Sequence, residues 1–287
     1  MTVSVVRRGD GSYPALLAQI PDPPRRLWLR GDAPPELLDR PAVAIVGARA
    51  CSGYGRSVAR LLATEAAAAG AVVVSGMARG VDGEAHRGAL AAGGATVAVL
   101  GCGIDRDYPA AHAELAGAIV AAGGLVVSEY EPGVEPAPWR FPARNRIIAG
   151  LARATVVVEA RERSGALITA DFALEDGREV LAVPGEITSA LSAGTNALLR
   201  IGATPATSSA DVLEALGLEA QPPMQTIPDD PVAAAVLNAV RAGAGTPDEL
   251  SRATGVGAGE IAAALALLEL AGAVAVDEGM VRSTIAR

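Results

Sequence analysis

Val43-Ala44-Ile45-Val46-Gly47-Ala48-Arg49 is an unbroken run of apolar residues that ends abruptly in glycine and arginine. Its apolar residues do not alternate with polar ones, so a strand here is covered on both faces. The pattern returns in Val72-Val73-Val74-Ser75-Gly76-Met77-Ala78-Arg79-Gly80-Val81-Asp82. Working outward, candidate strands over 42–46, 71–75, 96–100, 125–129, 155–159 and 179–183 alternate with candidate helices. These helices cover 55–69, 83–92, 111–122, 144–152, 165–176 and 194–201. That alternation predicts an α/β fold with a mostly parallel sheet and helices on both faces. Each helix follows its strand, so the connecting loops gather at the carboxyl edge of the sheet, where open α/β folds bind ligands. Arg49, Arg79, Gly101, Glu129, Ser164 and Gly165 fall in those loops.

The flanks differ in character. Residues 1–40 are Pro-rich and read as an irregular extension packed on the core domain, 41–217. A Pro-rich linker over 218–230 follows. Within 231–287, helical patterns at 231–241, 246–253 and 257–271 precede short strands near 273–276 and 280–283, with Asp277-Glu278-Gly279 as the turn. Three helices and a hairpin are the order of a winged helix. Thr246-Pro247-Asp248-Glu249 is a strong helix start, with a capping Thr, Pro in the first turn and acids behind it.

The chain of 287 residues has a formal net charge of -8, which argues against an all-over positive surface. The imbalance is local: residues 211–287 carry 4 Arg against 11 acids, a net of -7. Residues 140–163 carry six arginines and two acids. All 24 basic residues are Arg, so a P-loop lysine, a Schiff-base lysine and a pyridoxal-phosphate anchor are excluded. Cys51 and Cys102 are too few for a disulfide framework or a Cys-rich zinc site. His86 and His112 lack metal-ligand partners at useful spacing and read as structural or surface residues. No signal peptide and no membrane span are recognised, so a cytoplasmic protein without a cofactor is expected.

The best nucleic-acid signal is Arg140-Phe141-Pro142-Ala143-Arg144-Asn145-Arg146, where an aromatic could stack on a base while guanidinium groups hold phosphates. A structural Phe with solvated arginines is the plain alternative. A dinucleotide site is disfavoured, because Gly47, Gly53 and Gly55 have the wrong spacing and the second strand ends in Ser75-Gly76 rather than an acid. Asp82 is expected to cap the helix at 83. Glu129 and Glu159 are expected to orient arginines or hold the loops. The third helical pattern, 257–271, contains Glu260 and Glu269 and no Arg, unlike a helix that reads DNA.

Taken in order, eight motifs resemble the bacterial DNA-processing protein A family (DprA/Smf). They are Val43–Arg49, Ser75–Asp82 with Ala85-His86, Val97–Gly101 with Tyr108-Pro109, Ser128–Tyr130 with Pro132-Gly133, Phe141–Gly150, Val158–Ala160, Ser164–Ala170 and Ala182–Gly185. The resemblance spans about 10–217, and the tail resembles the family's winged helix. It implies an extended Rossmann-like fold that binds single-stranded DNA without hydrolysing it. It also implies protection of incoming DNA in natural transformation, loading of a RecA-type recombinase, and a homodimer. The implied DNA pocket uses Gly47, Arg49, Ser75, Gly76, Arg79, Gly80, Arg140, Phe141, Arg144, Asn145, Arg146, Ser164 and Gly165. Ala48 stands where many relatives carry Ser, which removes a hydroxyl but spares Arg49. The helical N-terminal domain of many relatives is not within this sequence. A second resemblance is to Rossmann-like phosphoribohydrolases, sometimes called lysine-decarboxylase-like, which would make the protein a nucleotide-processing enzyme. Their Pro-Gly-Gly-x-Gly-Thr loop is not matched by Pro184-Gly185-Glu186.

Overall fold

A computed structural model describes residues 2–219, 230–277 and 279–283. The expected linker, apart from 218, 219 and 230, and the middle residue of the expected 277–279 turn lie outside the described residues. The chain divides into two compact units, Met1–Gln221 and Pro222–Arg287.

The first unit runs β1 (Val3–Arg7), β2 (Arg26–Arg30), β3 (Ala42–Val46), α1 (Gly53–Ala68), β4 (Val72–Ser75), α2 (Val81–Ala91), β5 (Thr96–Val99), α3 (Ala113–Ala121), β6 (Leu125–Ser128), α4 (Arg140–Gly150), β7 (Ala154–Val157), α5 (Gly165–Glu175), β8 (Glu179–Ala182), α6 (Ala193–Arg200), β9 (Thr204–Pro205) and α7 (Ser209–Leu216). Its nine strands form one sheet in the order β1-β2-β6-β5-β4-β3-β7-β8-β9. Pairing is parallel from β6 to β9, and β1 and β2 add an antiparallel edge. The mostly parallel α/β fold expected from the sequence is therefore present, as is the winged-helix order of the second unit.

One expectation fails. Residues 1–40 are not irregular, because β1 and β2 extend the sheet. Leu27 and Leu29 are fully buried while Arg26 is exposed, so the strand presents alternate residues to the core.

Apolar strands make this a two-faced core. Val43, Ile45, Val73, Val156 and Leu181 pack under α1, α2 and α7. Ala44, Val46, Val74, Val99 and Val157 pack under α4, α5 and α6, where Leu17 and Ile20 of the N-terminal segment also dock. Small residues set the spacing: Ala59, Ala63 and Ala66 of α1 face Ala85 and Ala89 of α2, all essentially without exposure. The order places β3 between β4 and β7. Chain connections leave β3 in opposite directions, and this opens a crevice at the carboxyl ends of β3 and β7.

The second unit contains α8 (Pro231–Arg241), α9 (Pro247–Thr254), α10 (Ala258–Leu270), β10 (Val274–Asp277) and β11 (Met280–Ser283), with the two strands antiparallel. Thr246 and Glu249 form a capping box at the start of α9.

Candidate nucleic-acid interface

The crevice at the strand reversal is a cavity of about 340 Å³. Its base is built from two loops that hold one another. After β3, Ser52 caps α1 by accepting from the Gly55 amide at 3.0 Å. The Ser52 amide and hydroxyl in turn donate to the Glu159 carboxylate at 2.9 and 2.6 Å. Glu159, at the end of β7, thus fixes the 47–52 loop, as expected of an acid holding a loop.

After β4, the Ser75 hydroxyl donates to the Ile45 carbonyl at 2.6 Å. The His86 ring bridges the Thr96 hydroxyl and the Gly76 carbonyl, both at 2.7 Å, and is fully buried. His112 Nδ1 donates to the Met77 carbonyl at 3.0 Å. Both histidines are structural, and each clamps the 75–80 backbone. Gly80 has φ +77, and a β-carbon there would overlap the carbonyls of Ala48 and Arg49. Only glycine lets the second loop press against the first.

Asp82 is not the cap expected of it. Gly80 is the N-cap of α2, and Asp82 is the second helical residue, 6% exposed. Its carboxylate accepts from the Ala78 amide at 3.3 Å. Burial pushes its pKa up to about 6, and the Arg144 guanidinium opposes that rise. Arg144 is itself 5% exposed; burial lowers its pKa and Asp82 counters. It donates to the Val99 carbonyl and, from Nε, to Asn145 Oδ1 at 3.2 Å. Asn145 Nδ2 donates to the Gly165 carbonyl at 3.0 Å, which ties α4 to the start of α5. A side chain at Gly76 would collide with Asp82 and Arg144, so glycine admits this buried pair. The floor of the cleft is a satisfied, largely neutralised network.

The rim is different. Arg49, Arg161 and Arg163 are exposed, and among the described residues none of the three forms an ion pair. The Arg49 guanidinium lies 5.7 Å from the centre of the Phe141 ring, within cation–π range. Phe141 stacks on Tyr108 with centroids 5.2 Å apart. Ser164 caps α5, accepting from the Ala166 amide at 3.2 Å, so that helix also starts at the cleft.

Of the residues singled out in the sequence, Gly47, Arg49, Phe141, Arg144, Asn145, Ser164 and Gly165 line the cavity. Ser75, Gly76, Arg79 and Gly80 are not among its lining, and the loop they form supports it from behind. Arg140 also stands apart, held between the Tyr130 and Trp139 rings at 4.9 Å from each. Arg146 is diverted. Its guanidinium forms a fork with Glu129, both contacts at 2.8 Å, and reaches Asp22 at 3.1 Å. That is the orienting role expected of Glu129, and it neutralises one arginine of the motif. Arg161 and Arg163 are the rim residues the candidate list missed, although their position after a candidate strand was a usable signal.

Residues 4–217 match the family model for DNA recombination-mediator protein A, and residues 220–280 match that for the DprA winged helix domain. The DNA processing protein DprA of Streptococcus pneumoniae is 47% identical over 205 residues, covering 71% of this chain and 71% of that protein. A putative DprA of Mycobacterium tuberculosis is 43% identical over 164 residues, covering 54% of this chain and 42% of that protein. Among solved structures, the S. pneumoniae DprA superposes with a TM-score of 0.69 at 43% identity, covering 77% of this chain and 76% of that one. DNA processing protein A of Helicobacter pylori, a structure that describes its single-stranded DNA binding mode, gives 0.67 at 32% identity, covering 75% and 96%.

Proposed function

The chain belongs to the DNA recombination-mediator protein A family, and on that premise we propose that it binds single-stranded DNA in the switch-point cleft and acts as a recombination mediator without cutting the strand. The observation that carries this is the unpaired rim: Arg49, Arg161 and Arg163 converge on one cavity with no carboxylate partner among the described residues. Guanidinium groups in that state fork onto phosphate oxygens. Phe141 sits between the rim and the floor and offers a ring face to a base. The floor contributes shape, since Asp82 and Arg144 are engaged with each other and with backbone. The chemistry is therefore retention of a strand.

Choice of a single strand over duplex follows from where the arginines are. They ring a recessed cavity at the sheet edge, into which a splayed nucleotide fits and a base-paired one does not. Helix α10, the segment a winged helix would offer to the major groove, carries Glu260 and Glu269 and no basic residue. Protection of incoming DNA in natural transformation, hand-over to a RecA-type recombinase and action as a homodimer are the finer parts of this proposal, and family membership supports them. No helix among the described residues is long and apolar enough to cross a membrane.

The test is a titration of labelled oligo-dT and of duplex of equal length at several salt concentrations. The single strand should bind more tightly, with affinity falling as salt rises. Equal or tighter duplex binding would sink the proposal.

A further inference from the structure

We propose that the cleft accepts one nucleotide unit, so that free deoxynucleoside monophosphates occupy it and displace single-stranded DNA. This rests on the cleft being the site of the strand. The cavity, about 340 Å³, lies at the small end of the ~300–1,000 Å³ typical of ligand pockets. Proteins that track a strand non-specifically engage ~4–16 nucleotides along an extended groove. A compartment this small holds a single base, sugar and phosphate.

Its lining is divided in the way such a ligand is divided. Phe141, Pro142, Ile148 and Leu191 supply apolar surface for a base and sugar, and Arg49 and Arg163 supply charge for a phosphate. Beneath them Arg144, nine-tenths buried, is fixed by the Val99 carbonyl and Asn145. The site is therefore built before a ligand arrives, and little ordering cost falls on binding. A phosphate monoester carries about −1.5 to −2 charge at pH 7, where a chain phosphate carries a single charge. The free nucleotide thus partly recovers, in charge, what it lacks in chain length. Asn145 spends its amide oxygen on Arg144 and its amide nitrogen on Gly165, so it has no edge left to choose among bases. All four monophosphates should serve.

The experiment is a competition, by fluorescence anisotropy, on the full chain bound to labelled oligo-dT, with direct calorimetric titration of dTMP alongside. dTMP and dAMP should displace the oligonucleotide at concentrations within about fivefold of each other. Thymidine, without the phosphate, should be at least tenfold weaker, and so should inorganic phosphate at matched ionic strength. Arg163→Ala should weaken dTMP and oligo-dT together. Displacement by inorganic phosphate as efficient as by dTMP would overturn the inference, since it would reduce to screening. So would an oligonucleotide that binds while dTMP neither displaces it nor gives heat at millimolar concentration. dTMP that binds to a chain unable to hold oligo-dT would sink the strand-binding reading and leave this one standing.

Discussion

Arg49 illustrates how one side chain is prepared for a ligand: exposed, lying over the Phe141 ring and without an acid beside it. Arg49→Ala should weaken single-strand binding by about 1–3 kcal/mol, the scale of a charge-assisted hydrogen bond, in an equilibrium titration. Arg49→Lys should restore only part, because the planar fork is lost. Behind it, two buried groups titrate in opposite directions. Burial lowers His86 from 6.5 to about 4, so its contribution to stability is complete above about 6.5 and is lost as pH falls towards 4. Burial raises Asp82 from 3.8 to about 6, so its contribution is complete below 3.8 and is lost as pH rises through 6. The two offset each other across one interval. Relative to wild type, Asp82→Asn should lose stability between pH 6.5 and 4.5, and His86→Gln should gain it, each by about 1–3 kcal/mol. Denaturant melts at the two pH values check this, and slopes parallel to wild type in both variants would refute the assignment.

At the scale of the element, α4 shows both what a sequence reveals and what it hides. Its motif is plain in Phe141–Arg146, yet Arg144 and Arg146 are two residues apart, ~200° around a helix. They cannot both serve one cleft. Arg144 turns into it, and Arg146 turns to Glu129 and Asp22. The helical period could have warned of this, but the partner at residue 22 could not be foreseen, since it depends on how the N-terminal segment folds back. The parallel strands were legible to within a residue because they are apolar throughout. β1 and β2 were not, because an edge pair with Arg at its ends and prolines nearby lacks that signal, and β2 takes its place only by pairing with β6 about a hundred residues later. Arg146→Ala should therefore destabilise the fold by about 1–3 kcal/mol, a loss discounted for partial exposure of the pair, and leave oligo-dT affinity within twofold. Arg163→Ala should do the converse, with unchanged melting and weaker binding. A melting curve and a binding curve for each protein separate the two roles.

For the whole molecule, charge divides between the units. Residues 222–287 carry 4 Arg against 8 acids. Removing them should leave single-strand affinity unchanged or slightly raised, because like charge repels phosphate weakly through screened solvent beyond ~8–10 Å. A large loss of affinity in a truncated protein with an intact circular dichroism spectrum would assign the DNA contact to the winged helix instead. The first unit carries its own division, between a buried floor and an exposed rim. Gly76, Asp82, His86 and Arg144 are packed so closely that a change at any of them is felt by the fold. Arg49, Arg161 and Arg163 hold nothing else in place. Selection on grip strength can therefore explore the rim freely while the floor stays closed to it, and a laboratory screen for tighter or looser strand release should return its variants at 49, 161 and 163.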